Sequence, residues 1–408
     1  MSSKRSEKTL RAAPAAALIL AGALLSGCSN EHARSALTPG ALVQDAPFQL
    51  AGASAALGAK ADARFIRFGS TSAARDETVE VSARVLIPHA APPPGGYPLV
   101  SYGHGAVGFD PACGPTATKD LGPDDAPRVG ALLDSGYVVA VPDYQGLGAG
   151  AEHQGSGGHP FREPKTLGHN MIDAAHAAKA LLDKLGIAAS GAWAAYGESQ
   201  GGEAAWAAGD LAASAGGAGL RLVGVAAEKP PTDFTWLVDG AAAGVLSQGE
   251  QISYLRLLRG LQVVRPELAL DQYVRGPLAD KANQDVLFRC FAQSGDEVVA
   301  IARRLRPNDT ALSPQQARQL TAWLADWRLP LPETAPSGAE PAPVPFFVAA
   351  SAQDEVVPIS SVRRAASEEE ARRSAPMRLV VQDGGLHHEF DDSAEAIAWI
   401  GDRFAGRR

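Results

Sequence analysis

The sequence predicts a doubly wound, mainly parallel α/β sheet with a mostly helical insertion late in the chain. Three observations predict it. Short apolar runs alternate with segments whose apolar residues recur at helical spacing. One run, Tyr137-Val138-Val139-Ala140-Val141, is apolar without alternation, as a strand covered on both faces of a parallel sheet must be. The rhythm breaks after Pro230-Pro231 and resumes only at Phe346-Phe347-Val348-Ala349-Ala350.

Composition bounds the rest. At 408 residues, with 46% hydrophobic and 20% charged residues, the chain can build one large core plus an insertion. A net charge of -8 without a large basic block argues against nucleic acid as a partner. The 43 glycines and 29 prolines suit many tight turns and are not concentrated enough for general disorder.

In chain order, residues 1–28 form a targeting segment. Lys4, Arg5, Lys8 and Arg11 make a basic region, and Ala15 to Leu25 an apolar one too short to span a bilayer. It ends in Leu25-Ser26-Gly27-Cys28, which resembles the bacterial lipobox, so Cys28 is the expected lipidation site. Ser29 follows where an aspartate would favour the inner membrane; the expected location is the outer membrane through a lipid anchor, otherwise the periplasm or the medium. Residues 29–60, rich in Ala, Gly and Ser, read as a tether with some local order. The sheet domain is expected over 61–231 and 340–408, with the helical cap and its linker at 232–339. Val79, Val81, Ala83, Val85 and Ile87 alternate with polar residues as a half-buried strand does. A turn at Pro92 to Gly96 leads to a strand from Leu99 to Tyr102. Leu132 and Leu133 sit in a helix ending at Gly136. Leu167, Met171, Ala174, Ala178, Leu181 and Leu185 mark a helix that stops at Gly186. Strands follow at Trp193–Tyr196, Leu222–Ala226, Phe346–Ala350 and Arg378–Val381, with a last helix ending near Phe404.

The chemistry centres on Gly197-Glu198-Ser199-Gln200-Gly201-Gly202, which lies between an apolar strand and a small-residue helix. A G-x-S-x-G between strand and helix puts a serine at the tip of a sharp turn, where side chains in place of the glycines would collide with neighbours. Ser199 is therefore the candidate nucleophile, and the Gln200 N–H at the helix start a candidate oxyanion donor. A serine needs a base, and the base an orienting carboxylate, in the order serine, acid, histidine. The loop after the Phe346 strand offers Asp354, with Glu355 the alternative, since its longer side chain would have to fold back. The loop after the last strand offers His387 and His388; only one can face Ser199. His387 is preferred on its Gly-x-x-His spacing from Gly384, and His388 stays open. The second oxyanion donor is expected at Ala106, or Gly105, in the loop after the Leu99 strand. His153, His159, His169 and His176 lack a second ligand at metal spacing, so no metal is expected. Cys113 and Cys290 make an even pair in an exported chain, which points to a disulfide.

Taken together, Tyr102-Gly103-His104-Gly105, Pro142-Asp143-Tyr144-Gln145-Gly146-Leu147-Gly148, the Ser199 elbow and Asp354-Glu355-Val356-Val357-Pro358 resemble the secretory lipase family, the lipase-A-like α/β-hydrolases. The resemblance runs from about Ala61 to the C-terminus and is weakest across the insertion. It implies a triad of Ser199, Asp354 and a histidine, an oxyanion hole near Ala106 and Gln200, a helical lid, and a disulfide from the loop of Cys113. It also implies ester or acylglycerol substrates and no cofactor. The doubled histidine departs from the family pattern. An acyltransferase, a serine peptidase on the same triad, and a non-catalytic surface lipoprotein are the rival readings.

Overall fold

In a computed structural model of the protein, residues 37–151, 158–212, 219–332, 344–373 and 376–407 are described. Cys28, the targeting segment, the start of the tether, His153 and most of the expected linker lie outside them.

Among the described residues one sheet has nine strands: β1 (Leu42–Pro47), β2 (Ala61–Ser72), β3 (Glu77–Pro88), β4 (Tyr97–Gly103), β5 (Val138–Pro142), β6 (Ala189–Glu198), β7 (Arg221–Glu228), β8 (Phe346–Ser351) and β9 (Met377–Gln382). Their spatial order is β1-β2-β3-β5-β4-β6-β7-β8-β9. The first four in that order pair antiparallel. From β5 to β9 every pairing is parallel. The helices between them are α1 (Pro115–Thr118), α2 (Gly122–Asp134), α3 (Pro164–Lys184), α4 (Gln200–Leu211), α10 (Ile359–Arg373) and α11 (Ser393–Phe404).

Alternating side chains send each parallel strand into two cores. Leu99, Val138, Ala140, Trp193, Ala195, Phe346 and Val348 pack on one face, with Leu167, Met171, Leu181 and Trp206 of α3 and α4. Val100, Tyr102, Val139, Val141, Ala194, Tyr196 and Phe347 pack on the other, with Val129 and Leu132 of α2 and Trp399 and Ile400 of α11. Burial on both faces is why these strands read as continuous apolar runs.

Between β7 and β8 stand α5 (Thr235–Ala243), α6 (Gln248–Val264), α7 (Lys281–Phe288), α8 (Gly295–Ala302) and α9 (Pro314–Leu324). They have a core of their own, with Val238, Tyr254, Leu255, Leu258, Leu261, Leu278, Leu320 and Trp327 buried. Ser247 and Ser313 start α6 and α9 with reciprocal capping boxes to Glu250 and Gln316.

The tether expected over 29–60 is corrected from residue 42 onward. β1 pairs along β2, and a 3-10 helix, Gly52–Ala59, buries Ser54 and Leu57. The composition hid this because β1 is a partly exposed edge strand with little apolar content. The expected linker at the end of the 232–339 segment likewise begins only after a core residue: Leu331 is buried and its N–H donates to Asp210 at 2.7 Å.

Candidate active site

The chain order of the parallel strands reverses at β4, which lies between β5 and β6. In open α/β sheets the crevice at the carboxyl ends of the strands at such a point is where ligands bind. β6 ends there in Glu198, and Ser199 follows with φ 52° and ψ -116°, a region that costs a side-chain-bearing residue energy. The neighbours explain why the turn tolerates only glycine beside it. A Cβ on Gly201 would come within 1.8 Å of the Gly103 oxygen, and one on Gly197 within 2.3 Å of the Gly201 oxygen. The strain is held by the Ser199 N–H donating to Glu228 O at 2.9 Å and by α4, which starts at Gln200.

His387 Nε2 lies 3.0 Å from Ser199 Oγ, and His387 Nδ1 lies 2.7 Å from Asp354 Oδ2. Asp354 Oδ1 accepts the Val356 and Val357 N–H groups, each at 2.8 Å. Burial pushes the Asp354 carboxyl up, but His387 and those amides hold it below its ordinary value, so it stays ionised. Glu355 does not reach the imidazole; its Oε2 accepts the His387 backbone N–H at 2.9 Å. His388 is exposed, edge-on to the His387 ring with centres 5.3 Å apart, and makes no hydrogen bond to Ser199.

The loop after β4 brings Ala106 to the same cavity. The Gly105 N–H is already committed to Asp125 Oδ2 at 3.1 Å, whereas those of Ala106 and Gln200 have no acceptor among the described residues. The Asp143–Gly148 segment braces this loop. Tyr144 OH donates to His104 O at 3.1 Å, and Asp143 accepts from Ser82 Oγ at 2.6 Å and Thr116 N at 2.8 Å. His104 is buried and packs on Tyr144 with its pKa lowered by desolvation to about 4, so it is a neutral scaffold residue. His159, also buried, accepts from the Gln200 side chain at 2.9 Å and fixes that side chain under the elbow.

A set of buried charges behind the serine had no reading in the sequence. Lys229 follows β7 with φ 48° and is almost fully buried. Its ammonium donates to His387 O at 2.8 Å and Phe390 O at 3.2 Å, and pairs with Glu198 at 2.8 Å. Glu198 Oε1 is 4.0 Å from His387 Nε2. Asp125 accepts from Tyr102 OH at 2.5 Å, and burial followed by the nearby Glu198 raises it to about 7. Glu228 is paired with Arg128 at 3.0 Å. The available signal was position: Glu198, Glu228 and Lys229 stand at the carboxyl ends of buried strands, where a charge without a task is rare.

Ser199 and His387 open on a cavity of about 450 Å³. The sheet domain contributes Phe161 and Val357 to its wall, and the insertion Phe234, Leu237, Leu257 and Phe291. Cys113 and Cys290 are joined by a disulfide across 177 residues, linking the loop after β4 to the insertion. Among the described residues no group of three or more His, Cys, Asp or Glu is placed to hold a metal ion, and no helix is long and apolar enough to cross a membrane.

The family model described as secretory lipase matches residues 123–408. Among solved structures, Candida antarctica lipase A in its closed state is similar at 19% identity and a TM-score of 0.67, covering 91% of this chain and 83% of that one. The rice cell wall degrading esterase LipA from Xanthomonas oryzae, in a ligand-bound form, is similar at 22% identity and a TM-score of 0.66, covering 91% of this chain and 100% of that one. At these identities the likeness establishes the fold, of the α/β-hydrolase type. A search of curated proteins found no match.

Proposed function

The chain belongs to the secretory lipase family, and from that premise we propose that it is a serine carboxylic-ester hydrolase working through an acyl-enzyme. The observation that carries this reading is the continuous line from Asp354 through His387 to Ser199 at the floor of an apolar cavity. Ser199 Oγ attacks the ester carbonyl carbon while His387 Nε2 takes its proton, and Asp354 stabilises the imidazolium. The carbonyl oxygen, now an anion, is received by the Ala106 and Gln200 N–H groups, each such donor worth roughly 3 kcal/mol in the transition state. The proton passes from His387 to the leaving alkoxide as the ester C–O bond breaks. Water, deprotonated by the same imidazole, then cleaves the acyl-enzyme and restores Ser199. No step needs a cofactor. The helical insertion between β7 and β8 serves as the cap that closes the cavity from water, and acylglycerols or other esters are the substrates.

The experiment compares Ser199→Ala, His387→Ala and His388→Ala on p-nitrophenyl esters, with a fluorophosphonate probe as a second readout. The first two should lose activity to below about a thousandth of wild type, since triad members act as a unit. His388→Ala should lose far less. Probe labelling or substantial turnover in Ser199→Ala would sink the nucleophile; the reverse histidine pattern would move the base to His388.

Membership of a secretory family makes this an exported protein. Cys28 adds, in this reading, a lipid anchor to the outer membrane. Radiolabelled palmitate should mark the wild type and not Cys28→Ala; an unlabelled, soluble wild type in its own cell envelope rejects the anchor.

A further inference from the structure

Resting on the ester-hydrolase reading, we propose that Arg256 recognises a carboxylate on the ester substrate, so that the protein selects esters bearing an anionic group beyond an apolar spacer. Arg256 is carried by α6 of the insertion and lines the cavity that holds Ser199. Its Nε donates to Leu287 O at 3.2 Å, and its guanidinium carbon lies 3.8 Å from the centre of the Phe291 ring. Those are its bonding partners among the described residues: no carboxylate pairs with it, and both Nη groups are uncommitted.

The three arginines buried among the described residues differ in having Nη groups engaged. Arg128 Nη2 donates to Glu228 at 3.0 Å, and Arg162 Nη1 to Glu203 at 3.4 Å. Arg84 lacks a paired carboxylate but donates Nη2 to the Pro115 and Asp120 carbonyls. Burial and then the nearby Arg162 lower Arg256 to about 10, which leaves it cationic at neutral pH. A half-buried cation without a counter-charge is unfavourable until an anion reaches it. The free Nη edge of a guanidinium matches the two oxygens of a carboxylate. Phe161, Leu257 and Phe291 share the cavity with it, which suits an apolar chain between the ester and the anion. The carboxylates on the cavity wall have partners of their own: Asp120 accepts the Ser54 and Gly122 N–H groups, Asp125 accepts from Tyr102 and Gly105, Glu198 pairs with Lys229, and Asp233 of the insertion lies 3.5 Å from Arg364; Asp124 belongs to α2.

The test uses two matched pairs: ethyl hydrogen adipate against ethyl hexanoate, and 6-acetoxyhexanoate against hexyl acetate. The first places the carboxylate on the acyl side, the second on the alcohol side. Wild type should cleave the anionic member of at least one pair with a kcat/KM about tenfold or more above its neutral partner. Arg256→Met should remove that preference mainly by raising KM for the anionic ester, and Arg256→Lys should keep part of it, having the charge without the fork. A wild-type ratio of one or less in both pairs overturns the proposal, as does a ratio that survives in Arg256→Met, which would leave Arg256 as packing on Phe291. The wild-type ratio stands by itself if the Met variant does not fold. Failure to cleave any of the four esters would instead reject the hydrolase reading. Calorimetric binding of ethyl hydrogen adipate against ethyl hexanoate then decides the anion site: equal affinity overturns it.

Discussion

The ammonium of Lys229 stands between the residue before the proposed nucleophile and the loop that carries the proposed base. It holds the carbonyls of His387 and Phe390 and is neutralised by Glu198, so it positions the imidazole without touching the reacting atoms. Lys229→Met should lower kcat about 10- to 100-fold with KM for a short ester little changed, because loss of alignment weakens the transition state more than the ground state. It should also destabilise the fold by about 3–5 kcal/mol, since Glu198 is left as an unpaired buried charge. The double variant Glu198→Gln with Lys229→Met separates the two effects: stability should largely return and kcat should not. Full recovery of kcat in the double variant would reduce Lys229 to a counter-ion. The two adjacent histidines are set apart by the same kind of local geometry. Of two adjacent imidazoles, His387 points inward to Asp354 and Ser199, and His388 faces solvent at the cavity mouth.

The insertion is joined to the loop after β4 by more than chain continuity. Phe109 N–H donates to Phe288 O at 3.0 Å, Phe291 N–H to Val107 O at 2.9 Å, and the Cys113–Cys290 bond lies beside them. These links run next to Ala106, so the wall of the cavity and the proposed oxyanion loop are tied at one place. Replacing both cysteines by alanine should cost about 2–5 kcal/mol of stability, with the size for so long a loop depending on the unfolded-state model. It should also reduce the rate with poor substrates as Ala106 loosens. Alkylation of the denatured, unreduced protein is the check. Modification of Cys113 and Cys290 in the denatured, unreduced wild type would show that the bond does not form.

Across the whole molecule, buried ionisable groups set a pH dependence with two opposing parts. Glu203, at the start of α4, is raised to about 8 by burial despite Arg162, and Asp125 is raised to about 7. Each holds a proton in the fold that the unfolded chain has released, so the stability it contributes is full below its unfolded pKa and is lost as pH rises through the folded value. Desolvation lowers His104 and His169 to about 4 and His159 to about 3, from 6.5. These are neutral in the fold and charged in the unfolded chain, so between pH 4 and 6.5 they pull the other way. Above 6.5 only the acids remain. Stability should therefore fall between pH 6.5 and 8 by on the order of 1–2 kcal/mol, seen as a drop of a few degrees in Tm. Glu203→Gln should flatten that slope. A Tm that is constant or rises over this window would contradict the assignment.

Local sequence determined the parts of this protein whose physics is local. The elbow was legible because its glycines answer steric demands within a few residues of Ser199, and the parallel strands because burial on both faces leaves continuous apolar runs. Asp354 was legible from its place after a strand, and so were the two histidines as a pair. Other features depend on residues distant in the chain. β1 has little apolar content and exists because β2 offers it an edge. The placement of His387, and not His388, against Asp354 and Ser199 follows from loop geometry set by Lys229, Glu355 and Asp354. The commitment of the Gly105 N–H to Asp125, which leaves Ala106 free, is made by a helix that begins at residue 122. A buried carboxylate or ammonium has a meaning only through the partner that compensates it, and for Glu198, Lys229, Asp125 and Arg256 that partner, or its absence, exists only in three dimensions.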